Sequence, residues 1–341
     1  MQRRNPRAFP LDDQRVYDIY VAGRASAAMA VGVRLGLFDL LDAGPLGAAA
    51  IADALELRAR PTRSLLAALQ GTGLIVLVEE SYGLAPDAAA YLVRERPGSL
   101  WGLVDMEVDE FLDPARLMRA LRADDSSVYG GEDPWDAHVQ DPDKARAFTA
   151  AMHSVSERPA AGFAELAPLG DVRRLLDVGA GSAALSIAAA DHFPNLHCTP
   201  YDLAVVTEIA SEYIQAAGLS ERVVPLAGDM FNEPFPGGHD AVLLSQILHD
   251  WSFDTGAQLL AKAYACLPPG GRILIHEKLV DDDGQGPRSN ALVNLDMLVW
   301  TKGQQYKPME IHAALRKAGF VNSKIEATTG YWSLATAQKP S

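Results

Sequence analysis

The chain has 341 residues, 48% hydrophobic and 22% charged, a composition that can bury a sizeable core and excludes wholesale disorder. Acidic residues outnumber basic ones 44 to 30, and the net charge of −14 disfavours phosphate backbones and anionic lipid, so neither a nucleic-acid nor a membrane partner is expected. Two distant cysteines, Cys198 and Cys266, no apolar run after Met1 to Asn5, and no long charge-free apolar stretch point to a reducing, cytoplasmic setting.

In chain order, Tyr17 to Leu41 carries apolar residues at helical spacing and ends at Gly44-Pro45. A second helix is expected from Ala48 to Leu55. A third opens at Pro61, where the missing N–H costs little, carries Leu65, Leu66 and Leu69, and stops near Gly71. Leu74 to Val78 and Tyr82 to Leu84 flank Glu79-Glu80-Ser81 and predict a hairpin. Three helices and a hairpin are the winged-helix order. The expected recognition helix has Arg58, Arg60 and Arg63 only at its start, so dimerisation is a better reading than DNA binding. The apolar stretch Ala25 to Val33 is expected to face a partner.

Residues 96–168 read as helical and irregular, with loops at Asp124 to Ser127 and Gly130 to Pro134 and a helix from Phe148 to Leu166. From Arg173 the pattern becomes strand, turn, helix, repeated. Strands are expected at Leu175 to Val178, His197 to Tyr201, Val223 to Leu226, Asp240 to Leu244 and Arg272 to His276. The alternation argues for a parallel sheet with helical crossovers, and the chain divides into segments 1–100, 101–170 and 171–341.

Asp177-Val178-Gly179-Ala180-Gly181-Ser182-Ala183 sits at the first strand-to-helix turn, where glycines admit a ligand close to the backbone and a helix start offers free N–H groups. A tight structural turn is the plain alternative, and a dinucleotide loop expects a third glycine where Ala184 stands. Acidic residues recur at the next two strand ends. Asp202, followed by Leu203, can accept both ribose hydroxyls. In Gly228-Asp229-Met230-Phe231, Asp229 can take an adenine amine and Met230 can pack on the purine.

Residues 172–335 resemble the catalytic domain of class I S-adenosylmethionine-dependent methyltransferases. The whole chain is similar to the small-molecule O-methyltransferases of plants and bacterial natural-product pathways. The resemblance rests on Ile247-Leu248-His249-Asp250-Trp251, on Leu267-Pro268-Pro269-Gly270-Gly271, and on the loops above. It implies a winged-helix-type dimerisation domain, a Rossmann-like seven-stranded sheet, a homodimer and S-adenosylmethionine as cofactor. It assigns Gly179 and Gly181 to the methionine portion, Asp202 to the ribose, and Asp229 and Met230 to the adenine. Asp177, Leu203, Gly228, Phe231, Ser245 and Gln246 complete the expected cofactor set. Phe148, Met152 and Ser156 match a helix closing over the donor.

Methyl transfer to oxygen requires an acceptor held about 3 Å from the methyl and a base for its proton. A phenol with a pKa near 10 suits a histidine. His249 resembles the family base, with a buried or capping histidine as its plain alternative, and Glu277 matches the carboxylate that orients it. Of the other histidines, His153 and His276 are the two placed to approach the pocket. Gln305 stands where many relatives carry a second glutamate and is expected to assist. Asp250 is expected to compensate or to cap a helix. Ala183 departs from the Gly-x-Gly-x-Gly pattern. Acceptor candidates are Asn294, Met297, Leu298 and Trp300 on a helix from Ala291, with Met152, Trp101, Met106 and Phe111; stripes of this kind are more often core. The expected reaction is O-methylation of an aromatic natural-product intermediate, without metal. The alternatives are C-methylation of an aromatic carbon or α-keto acid, with metal held by His249 and Thr301 or His276, and a cofactor-binding protein without transfer.

Overall fold

The computed structural model describes residues 12–106, 108, 112–124, 126, 135 and 139–341. Phe111, His138 and most of the expected loops at 124–134 lie outside the described residues. Packing divides the chain into two compact units, Met1–Asp109 and Glu110–Ser341.

The first unit contains α1 (Gln14–Arg34), α2 (Leu37–Asp42), α3 (Ala48–Ala54), α4 (Ala59–Gly71), β1 (Ile75–Val78), β2 (Ser81–Leu84), α5 (Pro86–Tyr91) and α6 (Trp101–Met106). The single helix expected over 17–41 is two, because Gly36 adopts φ 72°, a left-handed stop that a residue with a Cβ resists. The hairpin pairs Ile75 with Leu84 and Val78 with Ser81. Leu37, Phe38, Ile51, Leu66 and Leu69 make the core. Ala30, Gly32 and Val33 pack inside this unit, while Ser26, Ala27 and Val31 of the same stretch are exposed. A Cβ on Gly32 would stand 3.0 Å from the Phe38 ring. The large exposed apolar side chains of α1 are Val16, Tyr17, Ile19, Tyr20 and Val31.

The second unit contains α7 (Pro114–Ala123), α8 (Pro142–Leu166), β3 (Arg174–Val178), α9 (Ala184–His192), β4 (His197–Asp202), α10 (Ala204–Ala216), β5 (Leu226–Ala227), β6 (Ala241–Ser245), α11 (Phe253–Cys266), β7 (Arg272–Glu277), α12 (Arg288–Trp300), α13 (Pro308–Lys317), β8 (Val321–Ala327) and β9 (Ser333–Gln338). Its seven strands run in the order β5-β4-β3-β6-β7-β9-β8, with β9 antiparallel to both neighbours. The central strands are continuous apolar runs, such as Val242-Leu243-Leu244 and Ile273-Leu274-Ile275, because helices cover both faces. The strand expected over 223–226 shrinks to Leu226–Ala227, paired with Tyr201 and Asp202, plus one bridge from Val223 to Cys198. Pro225 between them has no N–H for the ladder. The strand order reverses at β3, so the crevice at the C-terminal ends of β3, β4 and β6 is where such sheets take ligands.

Candidate active site

The loop after β3 is shaped for a close-lying ligand. Gly179 and Gly181 have φ of 68° and 53°. A Cβ on Gly179 would lie 2.2 Å from Ile247 Cδ1, whereas beside Gly181 the space is open. Ala183 adopts φ 63° without a glycine. The Asp202 carboxylate ends β4 and accepts the Gly181 N–H at 2.8 Å and the Leu203 N–H at 2.7 Å. Burial pushes its pKa up to about 6 against those two hydrogen bonds. Gly228 packs under Tyr201, whose ring would lie 2.3 Å from a Cβ there. Asp229 accepts from the N–H groups of Phe231 and Asn232 and from the Asn232 amide, so much of its carboxylate is committed to its own turn. Phe231 meets Trp251 edge-on at 4.5 Å, and the Trp251 indole N–H is buried without a partner among the described residues. Open space at Gly181, an aromatic pair and an orphaned donor beside an acidic strand end fit a nucleoside-bearing cofactor.

Asp177, expected in the cofactor set, is buried. Its carboxylate is buried beneath the loop and accepts the Ser186 hydroxyl at 2.7 Å, with burial raising its pKa to about 7. It braces the turn from below.

His249 lies in a short 3-10 turn, Leu248–Asp250, just past β6. Its Nδ1 is 2.5 Å from Glu277 Oε2. A carboxylate only accepts, so Nδ1 carries the proton and Nε2 is left as the basic atom. Glu277 is itself anchored, because its Oε1 accepts the N–H groups of Ile247 and Leu248 at 3.0 Å each. Asp250 Oδ1 stands 3.5 Å from Nε2. Burial alone would lower the pKa of His249, but Glu277 and then Asp250 outweigh it and raise it to about 9. Ser252 caps α11, which removes the capping role considered for Asp250.

Gln305 makes no hydrogen bond to His249 among the described residues. Its backbone N–H donates to Asn294 Oδ1 at 2.7 Å, and its side-chain Oε1 is buried unpaired. Glu277 already occupies Nδ1, and Asp250 Oδ1 stands on the Nε2 side of the ring. His276, the other histidine near the sheet end, meets Ser245 Oγ and Thr328 Oγ1 through its two ring nitrogens, each at 3.3 Å. Burial lowers its pKa to about 4, and it stacks on Trp332 as a neutral core group.

Helix α8 is tied to the sheet end at two places. Gln246 donates to Ser156 Oγ at 3.0 Å, and His153 Nδ1 lies 2.8 Å from Ser182 Oγ in the glycine loop. Met152 is half-buried on the same helix. Phe148 lies 6.4 Å from Trp300 and 5.9 Å from Trp135, which in turn lies 6.4 Å from Trp251. These rings form an aromatic wall. Met297 is buried and Leu298 half-buried on α12, and the Asn294 carbonyl is taken by Gln305. Met106 and Trp101 are half-buried on α6 in the first unit, with the Arg94 guanidinium 3.8 Å from the Trp101 ring.

Sequence reasoning missed Trp135, which has no local signal in its polar stretch of sequence. It also gave Trp251 no role, although the residue sits inside the quoted motif. Lys262 was missed as well. Its ammonium on α11 donates to the carbonyls of Met230, Phe231 and Glu233, pinning the turn that carries Met230 and Phe231.

A family model described as an O-methyltransferase domain matches residues 115–321, and one described as an O-methyltransferase dimerisation domain matches residues 19–94. The chain is 37% identical over 293 residues to a 3-hydroxy-5-methyl-1-naphthoate 3-O-methyltransferase of Streptomyces sahachiroi, covering 85% of this chain and 84% of that protein. It is 30% identical over 320 residues to an L-tyrosine C(3)-methyltransferase of Streptomyces lavendulae, covering 91% and 87%. The crystal structure of human N-acetylserotonin methyltransferase in complex with SAM superposes with a TM-score of 0.89 at 25% identity, covering 98% of this chain and all of that one. With a matching catalytic model over more than half its length and a matching dimerisation model before it, the chain belongs to the S-adenosylmethionine-dependent O-methyltransferase family.

Proposed function

We propose that the protein methylates a hydroxyl of an aromatic natural-product intermediate, with His249 as the general base. The observation that carries this reading is the contact between His249 Nδ1 and Glu277 Oε2 at 2.5 Å. Glu277 holds Nδ1, so Nε2 is the ring atom that takes the proton once His249 is neutral. Bound S-adenosylmethionine supplies an electrophilic sulfonium methyl. Gly179, Gly181 and Asp202 would hold its amino-acid and ribose portions, and Met230, Phe231 and Trp251 its purine. The wall of Phe148, Trp135 and Trp300 presents flat faces to an aromatic acceptor. Nε2 takes the hydroxyl proton as the oxygen attacks. With a pKa near 9, His249 approaches the basicity of a phenolate, so the transfer is close to balanced. Asp250 then faces the imidazolium and stabilises its charge. The α8 ties through His153 and Ser156 support a closed, water-poor site.

The Streptomyces sahachiroi relative, named for a hydroxylated naphthoate, supports an aromatic hydroxyl as acceptor. The relative named as an L-tyrosine C(3)-methyltransferase favours a second reading, methylation of a ring carbon. The acidic chain, its two separate thiols and the dimerisation match support a cytoplasmic homodimer formed through the first unit.

The test is titration with S-adenosylhomocysteine by calorimetry, then incubation with S-adenosylmethionine and a phenol panel, reading product by mass and by the NMR shift of the new methyl. Binding with an oxygen-bound methyl is expected. Carbon-bound methyl would establish the second reading. Binding without transfer to any phenol would sink the first.

A further inference from the structure

The glycine loop is held in a costly shape. Gly179, Gly181 and Ala183 are all left-handed, and Ala183 is so despite its Cβ. Such a backbone persists only where surrounding contacts hold it. Two side chains from other elements reach consecutive residues of the loop. Asp202 at the end of β4 accepts the Gly181 N–H, and His153 on α8 brings Nδ1 to 2.8 Å from the hydroxyl of buried Ser182. Among the described residues that hydroxyl has no other partner.

His153 is itself set from two sides. Its ring stacks on Tyr213 of α10, with centroids 4.0 Å apart and planes inclined by 29°. Glu157 Oε1, one turn further along α8, stands 3.7 Å from Nε2. A carboxylate only accepts, which favours the ring proton on Nε2 and leaves Nδ1 to accept from Ser182. Burial lowers the His153 pKa, with Glu157 opposing, so the ring is neutral at neutral pH. The same two helices are joined nearer the start of α8, where the Arg146 guanidinium donates to both oxygens of Glu212 at 2.7 and 2.8 Å. Pro159 has no N–H for the Val155 carbonyl, so the half of α8 that carries His153 depends more on such outside contacts.

Resting on the assignment of the glycine loop to the cofactor, we propose that His153 is a positioning residue for S-adenosylmethionine. Through Ser182 it clasps the loop in the shape that receives the cofactor, and Tyr213 keeps the imidazole in place. A loop already ordered costs less to bind against than one that must be ordered by its ligand. Because His153 acts through Ser182 and not on the reacting atoms, its effect falls on cofactor affinity and not on the transfer step.

The test is a double-mutant cycle, read as affinity for S-adenosylhomocysteine by calorimetry. His153→Phe keeps a ring for Tyr213 and removes Nδ1, and Ser182→Ala removes the hydroxyl. Each is expected to weaken binding about tenfold, and the double variant no further than either single one. His153→Asn, whose amide places a polar atom near the position of Nδ1, should recover affinity to within about threefold of the wild type, and kcat at saturating S-adenosylmethionine should change by less than about threefold throughout. Unchanged affinity in either single variant, losses that multiply to about a hundredfold in the double one, no recovery in His153→Asn, or a kcat that falls as far as affinity overturns the clasp. Melting temperatures report whether the variants fold. If His153→Phe does not, Ser182→Ala and His153→Asn still decide, since the first must weaken binding and the second must not. Gly181→Ala separates the clasp from the assignment on which it rests. Its methyl would enter open space, at a φ that Ala183 shows a Cβ can adopt in this loop. Binding that survives Gly181→Ala overturns the loop as the seat of the cofactor. Binding lost there, with no coupling between His153 and Ser182, overturns the clasp alone.

Discussion

Gly303 lies against the carbonyl of His249 so closely that a Cβ on it would stand 2.0 Å from that oxygen and 2.5 Å from the Trp251 amide nitrogen. Both are backbone atoms, so neither can rotate away. The 301–305 segment thus backs the turn that aims His249. Gly303→Ala should displace that turn by enough to lower kcat about a hundredfold, the usual effect of misplacing a reacting group by about 1 Å. Steady-state kinetics check this, and an unchanged kcat would show that the segment does not position the base.

His249 should give the reaction a rising pH profile. It acts as a base only when neutral, and its pKa is raised to about 9. Below that value kcat/KM should climb close to tenfold per pH unit and level near pH 9. Asp250→Asn removes one of the two supporting carboxylates, so the midpoint should move to lower pH. A profile already flat at pH 7 in the wild type would contradict this assignment. The same shift has a sign for stability. A histidine whose pKa is raised on folding stabilises the fold fully below its unfolded value of about 6.5, and the contribution fades as pH rises through about 9. Melting temperature followed from pH 6 to pH 10 reads it.

Glu277→Gln should damage catalysis more than folding. The amide oxygen can still accept from Ile247 and Leu248, but its NH2 then faces Nδ1. The ring must turn its lone pair to that NH2 and carry its proton on Nε2, the wrong atom for a base. By analogy with the wrong-tautomer effect in serine proteases, kcat should fall about 10³-fold or more at neutral pH. Affinity for S-adenosylhomocysteine should stay near that of the wild type by calorimetry.

Lys262→Met should act on the cofactor side. It leaves the carbonyls of Met230, Phe231 and Glu233 without their shared donor and loosens the turn that presents Met230 and Phe231. KM for S-adenosylmethionine should rise about tenfold, equivalent to about 1.4 kcal/mol, with kcat changing less. Equal losses in both constants would mean that the turn also shapes the reacting centre.

The parts of this site legible in the sequence are those whose chemistry and spacing are local. Gly179 and Gly181 sit at a strand-to-helix turn, Asp202 at the next strand end, and His249 inside a five-residue motif, so each announces itself within a few neighbours. Apolar runs in β3, β6 and β7 reveal a covered sheet for the same reason, since burial on both faces leaves no polar alternation. The strands beyond β7 are less legible, because the exposed positions of β8 mix Lys324 and Glu326 with apolar residues.

Roles that depend on neighbours distant in the chain were decided only by folding. Asp177 and Asp202 both end strands on the same sheet, yet one is sealed beneath the loop by Ser186 and the other faces the crevice. The sequence predicts that Gln305 assists His249, but among the described residues its side chain makes no hydrogen bond to the ring, whose Nδ1 is held by Glu277. Trp135 joins the aromatic wall with no signal from its neighbours in the sequence. A motif specifies which groups are present. Which of them are desolvated, and which partners are already taken, is set by packing between residues that only tertiary structure brings together.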